Sequence, residues 1–379
     1  MKIMIITPYF YPKIGGLENY VLNVAIGLQK RDHEVIIVTS NEGGNVRVEE
    51  KIQKLRVVRL PRLIKLFNTP IHPAWYFQLR SLIKSEKPNI INAHSPVPGL
   101  SDLAFFARGN TKFIMTYHSG SMKKKESKII DLLLGLYEKT ILRNTIIKSD
   151  AVVAIYPEFV KAIICPKKRN LYNIFPGVNI DLFKPAKAIK NNNRTVIYVG
   201  RIEKSSGWKG IGTLLHAMKK VTEYDPEAKI RLIGTGDAVE KYKRLAKQLG
   251  IAKNVEFAGA LRGSALVKAY QTARLLVLAS ETEAESFGMV LIEAMSCGIP
   301  VIATKMGGMP RVVELTGGGL LVEPSNSASL SEGIIKLFED KNLYNQLAKN
   351  GRENVPRYYS WTKTVDEYIN LYNIILSQS

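Results

Sequence analysis

Short β-branched apolar runs recur from one end of this chain to the other, and each is followed by a longer stretch whose apolar residues fall at helical spacing. The pattern predicts strands at Lys2 to Thr7, Glu34 to Thr39, Ile90 to Ala93, Lys112 to Thr116 and Ala151 to Ala154. The stretch Leu17 to Arg31 places Val21, Val24, Ala25 and Leu28 three and four residues apart, which gives a helix with one buried face. A polar, turn-rich segment, Asp181 to Asn193, then precedes a second series. Its strands are expected at Thr195 to Val199, Lys229 to Ile233, Val255 to Ala258, Leu275 to Ala279, Pro300 to Ala303 and Gly319 to Val322, with helices around Gly210 to Tyr224, Glu240 to Leu249 and Ser264 to Tyr270. Strand and helix in alternation imply parallel sheets covered by helices. The expected fold is α/β: two facing, doubly wound Rossmann-like domains at 1–180 and 181–357, and a helical tail at 358–379 crossing back to the first. In such folds ligands gather at the C-terminal ends of the strands, so chemistry is expected in the cleft between the domains.

Composition narrows the classes. At 379 residues two domains are the natural expectation, and 46% hydrophobic with 23% charged residues excludes a disordered or collagenous chain. Two cysteines, Cys165 and Cys297, make no disulfide framework and lack zinc-ligand neighbours, which points to a reducing compartment. The opening apolar run is too brief for a signal peptide, and no stretch approaches the ~18 apolar residues of a membrane span. A cytoplasmic protein is therefore expected. The charge is unusual: 54 basic against 33 acidic residues leave +21, and residues 1–180 alone hold 27 basic and 13 acidic, net +14. Such a field attracts anions of any kind, including nucleic acid, lipid headgroups and phosphorylated metabolites.

Four segments carry chemistry. In the segment from Ser280 to Ala303 a strand ends, a loop carries Glu285, and a helix expected near Phe287 carries Glu293. Backbone N–H groups at that helix start can bind a phosphate, and the two carboxylates can accept from hydroxyls on different parts of one ligand. On spacing alone, an acidic surface loop with a capping glutamate fits equally well. After the strand ending at Val199, Arg201 and Lys209 can hold a diphosphate, or can be two solvated cations. Gly15 and Gly16 lie between the first strand and first helix, where positive φ and close backbone approach are available to an anion, or to an ordinary turn. His94 and His118 each follow a strand of the first domain. His33 fits a helix-to-strand turn. The loop Ile233-Gly234-Thr235-Gly236-Asp237-Ala238-Val239 superficially matches a dinucleotide fingerprint, but Val239 stands where a small residue is needed, which argues against NAD.

With these motifs in hand, the sequence resembles the retaining glycosyltransferases of family 4, which have the two-Rossmann-domain GT-B architecture. Glu285 and Glu293 match that family's pair of glutamates in both separation and setting, with two residues inserted between Ser280 and Glu285 relative to the family's pattern. The resemblance implies a nucleotide-diphosphate sugar as donor, with a UDP, GDP or ADP moiety, no cofactor and no metal. It implies that Glu293 holds the ribose, that Arg201 and Lys209 hold the diphosphate, and that Glu285 with Ser286, Phe287 and Gly288 holds the sugar. Gly15, Gly16, Gly234 and Gly236 would line the donor, and His118 would stand near the transferred sugar. Arg201 and Lys209 are farther apart than is usual, because of Ser205 to Trp208. The acceptor would be a glycan, a lipid or a lipid-linked glycan. The competing readings are a sugar-nucleotide epimerase of the same architecture, a phosphorylase, for which no pyridoxal-phosphate lysine is evident, and a basic nucleic-acid or membrane-binding module. No nucleic-acid motif or interleaved stacking aromatics accompany the lysines.

The segment Ser121 to Lys148 adds Lys123, Lys124, Lys125 and Lys128 in front of an apolar helix through Ile129, Ile130, Leu132, Leu133, Leu134, Leu136 and Tyr137. A cationic end on an apolar helix suits the surface of an anionic bilayer, here the inner face of the cell membrane. A core-packed helix with a solvated lysine tip is the alternative.

Overall fold

The computed structural model describes residues 1–13, 15–66, 69–118, 128–155, 157–161, 170–186 and 194–378. Its chain divides into two compact units, Met1–Gly177 with Trp361–Ser379, and Val178–Ser360.

The first unit holds β1 (Lys2–Ile6), β2 (Glu34–Ser40), β3 (Val48–Ile52) and β4 (Leu55–Leu60), then a small antiparallel pair, β5 (Ile64–Leu66) and β6 (Thr69–Ile71). It continues with β7 (Ile90–Ser95), β8 (Lys112–Tyr117), β9 (Ala151–Ala154) and β10 (Leu171–Tyr172). The main sheet runs β10-β9-β8-β7-β1-β2-β4-β3. Helices cover both faces, so the central strands have no solvent side and read as unbroken apolar runs; Ile3, Met4, Ile5 and Ile6 are all fully buried. The expectation of purely parallel pairing needs one correction, because β3 runs antiparallel to β4 at the sheet edge. Gln53 and Lys54, both at positive φ (48° and 70°), supply the two-residue turn between them.

The helix Gly16–Gln29 buries Tyr20, Val21, Val24, Ala25 and Leu28. The expected helical tail at 358–379 is the single helix Trp361–Ser377, set off at Tyr359 and Ser360 from a preceding helix, Lys341–Tyr358. The last one does return to the first unit. Gly27 leaves room for the Val365 side chain, Arg31 pairs with Asp366 at 2.7 Å, and the Tyr20 and Tyr368 hydroxyls meet at 3.0 Å.

The second unit is an all-parallel sheet of β11 (Thr195–Val199), β12 (Lys229–Ile233), β13 (Val255–Gly259), β14 (Leu275–Leu278), β15 (Val301–Thr304) and β16 (Gly319–Val322). Its order is β13-β12-β11-β14-β15-β16. Chain direction across the sheet reverses between β11 and β14, so the loops leaving these neighbours diverge and open a crevice at their C-terminal ends. In the first unit the corresponding reversal lies between β1 and β7.

Candidate active site

In the second unit the loops after β11 and β14 carry the expected residues, and the structure brings two of them into contact. Lys209 Nζ donates to Glu285 Oε2 at 2.8 Å, with the two side chains only 12% and 14% exposed. Ser280 Oγ donates to the same carboxylate oxygen at 3.3 Å, and Thr304 Oγ1 donates to the Ser280 carbonyl at 2.5 Å. A cation assigned to the diphosphate and a carboxylate assigned to the sugar therefore neutralise each other here. Lys209 ends a tight 3₁₀ turn, Lys204–Lys209, which accommodates the inserted residues. Arg201 does not share this pair: two-thirds exposed, it lies 3.5 Å from Glu203.

Glu293 occupies another environment. The helix begins at Met289 rather than near Phe287, with left-handed Gly288 as its cap, so Glu293 lies about one turn in, closer to the start than expected. Its Oε2 accepts from the Tyr270 hydroxyl at 2.7 Å. Burial pushes its carboxyl up to about 7 despite that hydrogen bond. Ser286 and Phe287 precede the helix, and Phe287 is buried edge-on against Tyr359. Gly234 and Gly236 both lie at positive φ, and a side chain on either would strike the backbone of Gly200 or Ile202. They shape the β11 loop from behind.

The sequence reading missed what fixes the Glu285 loop. Gly307 (φ 54°) and Gly308 lie directly beneath the carbonyls of Glu285 and Ser286, where any Cβ would collide with backbone. The signal was present as a glycine pair after β15, but it stands 22 residues from Glu285 and carries no motif of its own. Tyr270 was likewise read only as the end of a helix.

In the first unit, His94 and His118 stand at the ends of β7 and β8. Their rings stack with centroids 5.0 Å apart, and His94 Nδ1 lies 2.7 Å from His118 Nε2. Burial lowers both, His94 well below the ordinary histidine value and His118 to about 3, so the pair is neutral. Gly15 departs from the expectation of positive φ. Its φ of −160° is extended, and Gly16 already opens the helix with no atom within 4 Å of where a Cβ would stand. A cavity of about 610 Å³ in this unit lies at the opposite, N-terminal strand ends, lined by Arg80, Lys84, Lys87, Arg108 and Lys112. Lys123, Lys124 and Lys125 lie outside the described residues, and Lys128 opens the helix Lys128–Tyr137. Among the described residues no three His, Cys, Asp or Glu side chains gather as metal ligands would, and no helix is long and apolar enough to cross a membrane.

Residues 179–354 match the family model for glycosyl transferases group 1, and residues 14–182 match that for glycosyltransferase family 4. The chain belongs to these glycosyltransferases. An uncharacterised glycosyltransferase of Methanocaldococcus jannaschii is 27% identical over 99% of both chains. The phosphatidyl-myo-inositol mannosyltransferase of Mycobacterium tuberculosis is 26% identical over 99% of this chain and 97% of its own. Among solved structures, that of Anabaena HepE in complex with UDP superposes with a TM-score of 0.77 at 20% identity, covering 99% of this chain and 100% of that one. The fold is thus GT-B. The epimerase and binding-module readings gain no support from this family.

Proposed function

We propose that this protein is a retaining, metal-independent hexosyltransferase that moves a sugar from a nucleotide-diphosphate sugar to a glycan or lipid-linked acceptor. The observation that carries the reading is the Lys209–Glu285 pair at the strand reversal of the second unit, one helix start away from Glu293. A donor entering there exchanges the internal ion pair for its own groups. Lys209 turns to the diphosphate, joined by the exposed Arg201, and Glu285 with the backbone of 286–288 accepts the sugar hydroxyls. Glu293 holds the ribose. Negative charge grows on the diphosphate as it leaves, and fixed cations stabilise that growth without a metal. Retention follows if the acceptor hydroxyl attacks from the face the diphosphate vacates, with a leaving phosphate oxygen taking its proton. The protein then contributes position and electrostatics rather than a nucleophile. In this reading Gly15 and Gly16 of the first unit lie beside the donor diphosphate and His118 near the transferred sugar, and no cofactor takes part.

The Lys128–Tyr137 helix supports an acceptor at a membrane surface. Ile129, Leu132, Leu133 and Leu136 are 72%, 73%, 61% and 59% exposed, a continuous apolar face at helical spacing that a core-packed helix would hide. A relative named for a phosphatidylinositol acceptor supports the same class. The protein would work at the cytoplasmic face, with UDP-, GDP- or ADP-sugar as donor and nucleic acid as no partner.

A thermal-shift screen of the three nucleoside diphosphates and their sugars identifies the donor, since a ligand of the native state raises its melting temperature. Steady-state kinetics with that donor then test the roles. Glu293→Ala is expected chiefly to weaken donor binding, and Arg201→Ala and Lys209→Ala chiefly to slow transfer, all in excess chelator. Wild-type rates in all three variants sink the donor-site assignment, and loss of activity on chelation, restored by magnesium or manganese, sinks metal independence.

A further inference from the structure

His94 has a proton to place and little choice about where. The residue is fully buried, and its Nε2 has no hydrogen-bond partner among the described residues. Its other nitrogen, Nδ1, is within 2.7 Å of His118 Nε2. With both rings neutral, one of these two nitrogens donates to the other. If His118 Nε2–H donated, His94 would carry its own proton on Nε2, leaving a buried N–H with no acceptor, which natural structures rarely tolerate. If His94 Nδ1–H donates, the orphan atom on His94 is only a lone pair. A turned ring would give up the Nδ1 contact with His118, and the Tyr20 ring stands edge-on to both histidines, at 5.9 Å from His94 and 4.7 Å from His118. Tyr20 is itself held by Tyr368, whose hydroxyl also meets Thr116, which donates to Asn92. The strands bearing both histidines are thus tied from beneath to the first and last helices.

We propose that His94 is a positioning residue, donating from Nδ1–H to His118 Nε2 and so holding the His118 proton on Nδ1. His118 is half-buried, and with Nε2 accepting from His94 its Nδ1 is the nitrogen that carries the proton. His118 therefore offers a neutral N–H donor at the strand ends, suited to a sugar hydroxyl oxygen, and is not a base. The inference rests on the reading of His118 as a sugar-side group, but its central claim concerns a proton and is tested without turnover.

The full chain is labelled with ¹⁵N-histidine, and long-range ¹H–¹⁵N correlation reads both ring nitrogens of His118, assigned by their loss in His118→Gln. The expected result is a protonated Nδ1 and an unprotonated Nε2. The reverse pattern in the wild type overturns the proposal. His94→Leu removes the donor and is expected to release the tautomer and lower kcat about tenfold, the worth of one hydrogen bond, with KM changing less. His94→Asn, whose amide nitrogen takes the place of Nδ1, is expected to restore both the Nδ1–H signal and most of the lost rate. An unchanged His118 tautomer in a folded His94→Leu variant, or in a His94→Asn variant that regains no rate, refutes the positioning role. If the tautomer behaves as expected while His118→Gln turns over at the wild-type rate, the lock stands and the sugar-side reading of His118 falls.

Discussion

Glu293 is pulled in two directions, since burial favours its neutral form while the Tyr270 hydroxyl favours its charge, and burial wins with titration near 7. An unfolded glutamate titrates near its ordinary value, so between about pH 4.5 and 7 the native state keeps a proton that the unfolded state has released. Stability therefore falls as pH rises through that window and levels off above it. Glu293→Gln keeps the acceptor for Tyr270 and has no proton to lose, so it is expected to melt with the wild type near pH 5 and roughly 2 °C or more above it at pH 8. A gap that fails to widen with pH contradicts the buried titration. Ribose binding runs the other way, because only the carboxylate accepts two hydroxyls well. Affinity for the nucleoside diphosphate is expected to rise about tenfold from pH 6 to 8 in the wild type beyond any rise in Glu293→Gln, whose own trend corrects for the ligand's phosphates. Calorimetric titration at the two pH values measures it.

Elements differ in how openly the sequence announces them. The central strands were legible because burial on both faces demands β-branched apolar residues, and Thr195–Val199 and Lys229–Ile233 stand where their runs predict. β3 was not, because an edge strand is guarded by charge: Val48-Glu49-Glu50-Lys51-Ile52 pairs Glu49 with Arg56 and Glu50 with Arg59, and shows no apolar alternation. The same divide runs through the site. Glu285 and Glu293 stood out only through their resemblance to a family motif, since spacing alone left a surface loop open, whereas Gly307 and Gly308 act only through a tertiary approach that local pattern cannot express. The Lys128–Tyr137 helix reads as apolar in sequence, but only the structure shows which residues face outward. Replacing Leu132 and Leu133 by Ser is expected to weaken co-sedimentation with phosphatidylglycerol vesicles at least tenfold while leaving the melting temperature within about 2 °C, because each leucine that enters lipid contributes roughly 1.5–3 kcal/mol and these two contribute little to the fold. Changing Lys123, Lys124 and Lys125 to Glu is expected to remove the salt-sensitive part. A wild type that ignores such vesicles at low salt makes a soluble acceptor the better reading.

At the scale of the whole molecule, the chain's last helix belongs to its first unit. Val365, Tyr368, Leu371, Tyr372 and Ile375 are buried there, each side chain contributing on the order of 1.5–3 kcal/mol, and together they rival the ~5–15 kcal/mol that holds a typical domain folded. A chain ending at Ser360 is accordingly expected to lose the first unit and keep the second. Hydrogen exchange read by mass spectrometry checks this, with protection vanishing in β1, β7 and β8 and persisting in β11, β12 and β14. Equal protection in both units contradicts it. The second unit, by contrast, begins and ends at one place: Val178 N–H donates to the Tyr359 carbonyl at 2.8 Å, and Val178 bridges Ser360. A gene that codes for such a chain holds one half as an uninterrupted cassette inside the other. Recombination at two neighbouring codon positions in space, though far apart in the message, can exchange Glu285, Glu293 and every strand around them in a single event, and leave both ends of the recipient untouched.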